Sequence, residues 1–193
     1  IGLDRRIGGR FLRAGPAYGG SCFPKDTKGL VSASNKFKVN LSLVKTVIKS
    51  NENRVNLLIQ RVHKILGKKL KNKRIAFLGV TFKPNTDDMR DSSSLKMIPY
   101  LSKKGAKLSY YDPSGEKNEF KKIKNCSYKT NIKSNCHNAD LIIILTEWDE
   151  FKSLDFKKIV KNTKVKIYDL RNLYNVKDMK KNKLKYYSVG RSS

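Results

Sequence analysis

A chain of 193 residues suits one ordinary domain, or one domain plus a helical appendage, and no run in it approaches the roughly 18 apolar residues needed to span a bilayer, so no membrane span is expected. The formal net charge of +27, from 43 basic and 16 acidic residues, invites a nucleic-acid reading. Lysines scattered along the whole chain supply most of it, with no arginine-rich stripe and no base-stacking motif, so a solvated basic surface is the simpler reading and no nucleic-acid partner is expected.

The chain opens on Ile1, and its first twenty residues lack the apolar core of a signal peptide; the expectation is a soluble chain whose beginning is missing. Arg5, Arg6, Arg10 and Arg13 crowd the first thirteen positions. Guanidinium forks grip phosphate and carboxylate bidentately, which makes an anionic small molecule plausible near the GGSCFPKD segment that follows. A short helix is predicted from Thr27 to Asn35, capped by Asp26 or Thr27. Leu41, Val44, Ile48, Val55, Leu58, Val62 and Leu66 recur at helical spacing, interrupted by Asn51, and predict a helix about 39 Å long that Gly67 stops. Such a length suits a spacer or a dimer-forming helix.

After a basic turn the texture changes. RIAFLGV, residues 74–80, reads as a buried strand. A helix through SSLKMIPYLSKKG follows, capped by Asp91 or Ser92 and ended by Gly105, with Pro99 predicting a kink or a late start. AKLSYYDP reads as a strand, NIKSNCHNA as weakly helical, and the wholly apolar Leu141–Leu145 as a strand covered on both faces. FKKIV is a short helix, and KVKIYDL and LKYYSVG are further strands. The fold class is therefore α/β: a long helical segment followed by an open, parallel, Rossmann-like sheet.

In such sheets ligands bind beyond the carboxyl ends of the strands, where GVTFKPNTDDMRD, TEWDEF and DLRN fall. Lys83, Arg90 and Arg171 thus face one rim, from which three cations can clamp a diphosphate. No GxGxxG follows any strand, so nothing shows the pyrophosphate turn of an NAD domain. Three cysteines without a CxxC, and two histidines, make a metal site improbable and fit a reducing cytoplasm. Cys22 lies between GGS and the helix expected near Asp26, whose N-terminal partial charge, with Lys25 and the upstream arginines, favours a thiolate. Gly19 and Gly20 let a substrate approach the backbone, and Asp26 can orient water. From pattern alone, a nucleophile and a gap-filling structural cysteine stand on even terms; Cys126 and Cys136 read as structural.

GGSCFPKD, with DRRIG ahead of it and GVTFKPNTDDMRDSS, TEWDEF and DLRN behind, in this order and spacing, resembles the UDP-glucose 6-dehydrogenase family, whose relatives act on GDP-mannose or UDP-N-acetylhexosamines. The resemblance implies a division into residues 1–70, the end of a central dimerising helical region that carries the cysteine, and 71–193, a Rossmann-like UDP-binding domain. It also implies an N-terminal NAD-binding domain that this chain lacks, so that the chain alone is inactive or acts as a nucleotide-diphosphate-sugar binding module. For the family it implies two-step, NAD-dependent oxidation of UDP-glucose to UDP-glucuronate through a cysteine thiohemiacetal and thioester, in a cytoplasmic homodimer serving polysaccharide biosynthesis. Residue by residue, Cys22 matches the nucleophile and Asp26 the carboxylate that assists hydrolysis. Tyr18, Gly19 and Gly20 match the sugar loop, Phe82, Lys83 and Arg171 the uridine-diphosphate grip, and Arg6 an arginine offered across the dimer. Lys25 and Arg90 match positions beside NAD. Arg5 stands where proline is frequent, and Tyr18 where phenylalanine is.

Overall fold

The computed structural model describes residues 1–161 and 164–191, and of residues 10 and 11 the backbone alone. The side chain of Arg10, one of the four crowded arginines, therefore lies outside the described residues.

Two helices lead into the sheet. Helix α1 spans Cys22–Lys36, five residues longer at its start than the sequence predicts. Pro24 reads as a breaker, yet it falls in the first turn, where its missing N–H leaves no helical bond unmade. Cys22 thus does not precede a helix; it begins one. Helix α2, Ser42–Leu66, matches its predicted span and ends on Gly67, whose φ of 95° and N–H bond to the His63 carbonyl form the stop. Its buried face is Val55, Leu58, Ile59, Val62 and Ile65.

The rest of the chain alternates. Strand β1 (Arg74–Leu78) leads to α3 (Ser94–Lys103), β2 (Lys107–Tyr111), α4 (Asn118–Lys121) and β3 (Cys126–Tyr128). Then come α5 (Ile132–Cys136), β4 (Leu141–Ile144), α6 (Phe156–Ile159), β5 (Lys166–Asp169), α7 (Val176–Lys181) and β6 (Lys185–Ser188). Pro99 lies inside α3 as its sixth residue, past the first turn, and the helix is capped at Ser93, not at Asp91 or Ser92. All six strands are parallel, in the order β3-β2-β1-β4-β5-β6. The chain direction across the sheet reverses between β1 and β4, and a ligand crevice is expected at that reversal.

Apolar clusters cover both faces of the sheet. Phe77, Leu108, Ile143 and Tyr168 face α2 and α3, while Ala76, Leu78, Ile142 and Ile167 face Phe151 and Phe156. All four residues of β4 are 0% exposed, each worth roughly 1.5–3 kcal/mol relative to exposure, so the central strand anchors the rim that follows it. No helix among the described residues is long and apolar enough to cross a membrane.

Candidate active site

The turn after β1 is built by neighbours, not by glycines. Gly79 has φ +75°, and a Cβ there would stand 2.4 Å from that of Thr146, so the β1 and β4 loops pass in contact. Asp112, fully buried at the end of β2, accepts the N–H groups of Val80 (2.7 Å) and Thr81 (3.3 Å) on one oxygen and that of Ser114 (3.0 Å) on the other. Ser92 and Ser94 donate to the Val80 carbonyl, and Thr146 to that of Thr81. The N–H groups of Gly79, Val80, Thr81 and Phe82 all have protein acceptors, so a pyrophosphate finds no open N–H along them. A glycine-lined dinucleotide turn does not fit here.

What the turn presents is Phe82 and Lys83. The Lys83 ammonium lies over the Phe82 ring, 5.2 Å from its centroid. The ring in turn packs on the cysteine loop, since a Cβ on Gly20 (φ +83°) would lie 2.7 Å from it, and one on Gly19 would lie 2.5 Å from the Asp91 carbonyl oxygen. The glycines expected to admit substrate thus admit Phe82 and Asp91, joining the two halves of the site. A backbone bond from the Gly20 N–H to the Arg90 carbonyl, 2.8 Å, completes the seam. Gly20→Ala is expected to cost about 1–3 kcal/mol in urea unfolding, from strain at positive φ and overlap with the ring. Gly29→Ala, with nothing within 4 Å, is expected to stabilise by about 0.5–1 kcal/mol.

Helix α2 holds the loop from the other side. The Asn51 carboxamide accepts the Tyr18 N–H (3.0 Å) and donates to the Tyr18 carbonyl (3.1 Å), and Arg54 donates to the carbonyl of Pro16 (3.1 Å). Asn51, read from sequence as an interruption, is what positions the loop. Tyr18 itself meets Phe23 edge-on at 4.7 Å.

Cys22 stands exposed as the first residue of α1, its sulfur 3.6 Å from the Ser21 hydroxyl. It opens on a cleft of about 590 Å³ shared with Gly20, Lys25, Lys28, Arg90 and Asp91. The positive end of α1 lies at this sulfur, and the Arg90 guanidinium lines the same cleft. Asp88 aligns Arg90 by a two-pronged pair at 2.9 and 2.8 Å. That pair holds Arg90 above its ordinary value, and the Cys22 charge adds to the effect; it also holds the Asp88 carboxyl below its own. The DDMR spacing carried this signal in the sequence, but Arg90 alone drew notice.

Arg171, at the end of β5, is more deeply engaged than a rim cation. It donates to the Leu145 carbonyl (2.9 Å) and the Phe82 carbonyl (2.8 Å), stands 3.9 Å from Glu147, and leaves its side chain 11% exposed. A Cβ on Gly15 would meet it at 2.9 Å, so it touches both halves of the site. Burial pushes it down, with Glu147 and Asp169 opposing. Asp169, pushed up by burial, accepts the N–H groups of Arg171, Leu173 and Tyr174 and the Tyr186 hydroxyl, which shapes the turn that carries Arg171.

Two of the expected residues, Asp26 and Arg6, are outside the lining of the Cys22 cleft. Asp26 sits one helical turn after Cys22, exposed and 3.4 Å from Lys25. Arg6 is exposed and paired with Asp4 at 2.8 Å, outside the cleft lining.

The chain matches known proteins along nearly its whole length. A model described as UDP-glucose/GDP-mannose dehydrogenase family, UDP binding domain, matches residues 76–176, and the central-domain model of that family matches residues 1–53. The chain is 42% identical over 192 residues to UDP-glucose 6-dehydrogenase of Rhizobium meliloti (strain 1021), covering 99% of this chain and 44% of that protein. It is 40% identical over 193 residues to UDP-glucose 6-dehydrogenase of Rickettsia prowazekii (strain Madrid E), covering 98% and 44%. Among solved structures, a UDP-glucose dehydrogenase from Pyrobaculum islandicum superposes with a TM-score of 0.80 at 29% identity, covering 99% of this chain and 42% of that one. The chain thus spans less than half the length of the relatives it matches. It belongs to the UDP-glucose/GDP-mannose dehydrogenase family.

Proposed function

We propose that this chain is the substrate-gripping and thiol-bearing portion of a UDP-glucose 6-dehydrogenase, which oxidises the sugar C6 alcohol to a carboxylate. The observation that carries the reading is the seam itself: Gly20, Phe82 and Arg90 join the loop bearing Cys22 to the crevice of the sheet. A UDP moiety held over Phe82 and Lys83, with Arg171 supporting the Phe82 carbonyl, would place its sugar toward the cysteine loop. Gly20 lines the cleft at that end, and Tyr18 and Gly19 lie directly before it in the loop. The identities to UDP-glucose enzymes favour UDP-glucose over GDP-mannose as substrate.

In this reading Cys22 adds its sulfur to the aldehyde carbon, its proton passing to the carbonyl oxygen. The resulting thiohemiacetal holds the carbon in place, where a free hydrated aldehyde would react poorly. Loss of hydride from that carbon and of the hydroxyl proton gives a thioester. Water, oriented by Asp26, breaks the C–S bond, releasing the uronate and restoring the thiol. NAD, when bound, would supply the hydride acceptor for both oxidations. The β1 turn does not fit its pyrophosphate, whereas Arg90 and Lys25, cationic and facing the Cys22 cleft, fit the edge of a dinucleotide held by another domain.

A second copy of the chain is the proposed partner. Leu3, Leu12, Phe37, Leu43 and Val47 are exposed apolar residues confined to the region before the sheet, and Arg6 projects from that same region. Three free thiols suit a reducing cytoplasm.

Titration of this chain with UDP is expected to give saturable one-site binding. The same chain with NAD+ and UDP-glucose is expected to form no NADH. Absence of UDP binding would overturn the substrate-gripping role, and turnover would overturn the division of labour.

A further inference from the structure

Between α2 and the far strands of the sheet lies a second cavity, of about 490 Å³, that the chemistry at Cys22 does not use. Leu57, Leu58 and Val189 give it apolar walls. Arg54, Arg61 and Lys64 supply its charge, and no carboxylate is among the described residues that line it. Positions 54, 61 and 64 share one face of α2, so the three cations are directed together.

In a chain of net charge +27, clustered cations alone would mean little. The decisive group is Tyr168, on β5. It lines this cavity and is 0% exposed, yet its hydroxyl has no hydrogen-bond partner among the described residues. Buried polar groups are normally paired, and an exception calls for a missing partner. Burial pushes the phenol up to about 12, so it is an O–H donor at neutral pH; Arg61 and then Arg54 act against that shift, which puts both within electrostatic reach of the hydroxyl. The Arg61 guanidinium lies 5.8 Å from the Tyr168 ring centroid. Arg54 uses its Nε on the Pro16 carbonyl and keeps its amine groups free of that bond.

We propose that this cavity binds a small organic anion, a phosphate monoester or carboxylate on an apolar body, with the Tyr168 hydroxyl and the Arg61 and Arg54 guanidiniums on the anionic head and the leucines against the body. The donor set is the one such a head requires: a neutral O–H and two planar forks. The volume lies in the range of small-molecule sites, roughly 300–1,000 Å³.

The test is calorimetric titration of the chain with phenyl phosphate and, separately, benzoate, at constant ionic strength and with UDP present at saturation. Saturable one-site binding of at least one probe is expected, with the stronger identifying the head group and benzyl alcohol giving none. Arg61→Gln should weaken it at least tenfold and Tyr168→Phe about fivefold, while Cys22→Ser and Lys83→Ala leave it unchanged. As a check on folding, Tyr168→Phe should not lower the Tm of the free chain, because it removes an unpaired group, but should diminish the Tm rise that the probe produces. No saturable binding of either probe overturns the proposal, as does equal affinity in the parent, Arg61→Gln and Tyr168→Phe. Because UDP binding is read separately, neither result bears on the site at Cys22.

Discussion

In a chain that includes the dinucleotide-binding half, Cys22→Ser is expected to lower uronate release by roughly three or more orders of magnitude while leaving UDP-glucose affinity near that of the parent. The reason lies in what serine keeps and loses. Its hydroxyl occupies the same place at the start of α1, exposed beside Arg90, so neither the helix nor the cleft changes. But an alcohol at neutral pH is a far weaker nucleophile than a thiol near a positive helix end, and it supports no thioester. The first oxidation needs no covalent bond, so one hydride per substrate should still be transferred, seen as a stoichiometric burst of reduced cofactor. Release of uronate at the parent rate would remove the covalent role of Cys22.

The second large effect is on folding and comes from a residue that no motif marks. Asp112→Ala is expected to destabilise the chain by about 3–5 kcal/mol in urea unfolding, because it strands the buried N–H groups of Val80 and Thr81 together with that of Ser114. That is a large fraction of the total stability of an ordinary domain, about 5–15 kcal/mol. Asp112→Asn retains one acceptor oxygen and is expected to cost about half as much. Since the same carboxylate shapes the turn that presents Phe82 and Lys83, UDP affinity should fall in step. Parent-like stability in both variants would mean that the turn is held by Thr146, Ser92 and Ser94 alone.

These two residues mark what the sequence made legible and what it did not. The wholly apolar 141–144 run and the 74–78 run could be read as buried strands because nothing but a two-faced sheet accommodates them. The long helix was legible from its periodicity and its terminal glycine. Strand β3 was not, since three residues at a sheet edge, none of them buried, carry no period. Helix α7 hides for a similar reason: VKDMKK buries only Met179. The true start of α1 was masked by better-looking caps at Asp26 and Thr27, although Pro24 fits the first turn.

At the site, residue types were legible and partnerships were not. Phe82, Arg90, Gly20 and Cys22 are singled out by motif, but their joining depends on contacts 60 or more residues apart in sequence. Asn51 and Asp112 act mainly on residues 33 and 32 positions away in sequence, so no local pattern announces them. Arg171 looked like a free cation, and only the fold reveals that two carbonyls occupy it.

The most direct measurement is thiol alkylation of this chain at neutral pH, followed residue by residue with mass spectrometry. Burial pushes Cys126 up to about 11 and Cys136 up to about 12, whereas Cys22 is exposed at a helix start beside a guanidinium. Iodoacetamide should therefore label Cys22 first and alone while the chain remains folded, and UDP-glucose should slow that labelling by covering the cleft. A folded chain whose Cys22 resists the reagent, while the urea-unfolded chain takes it up at all three cysteines, would contradict a nucleophilic Cys22.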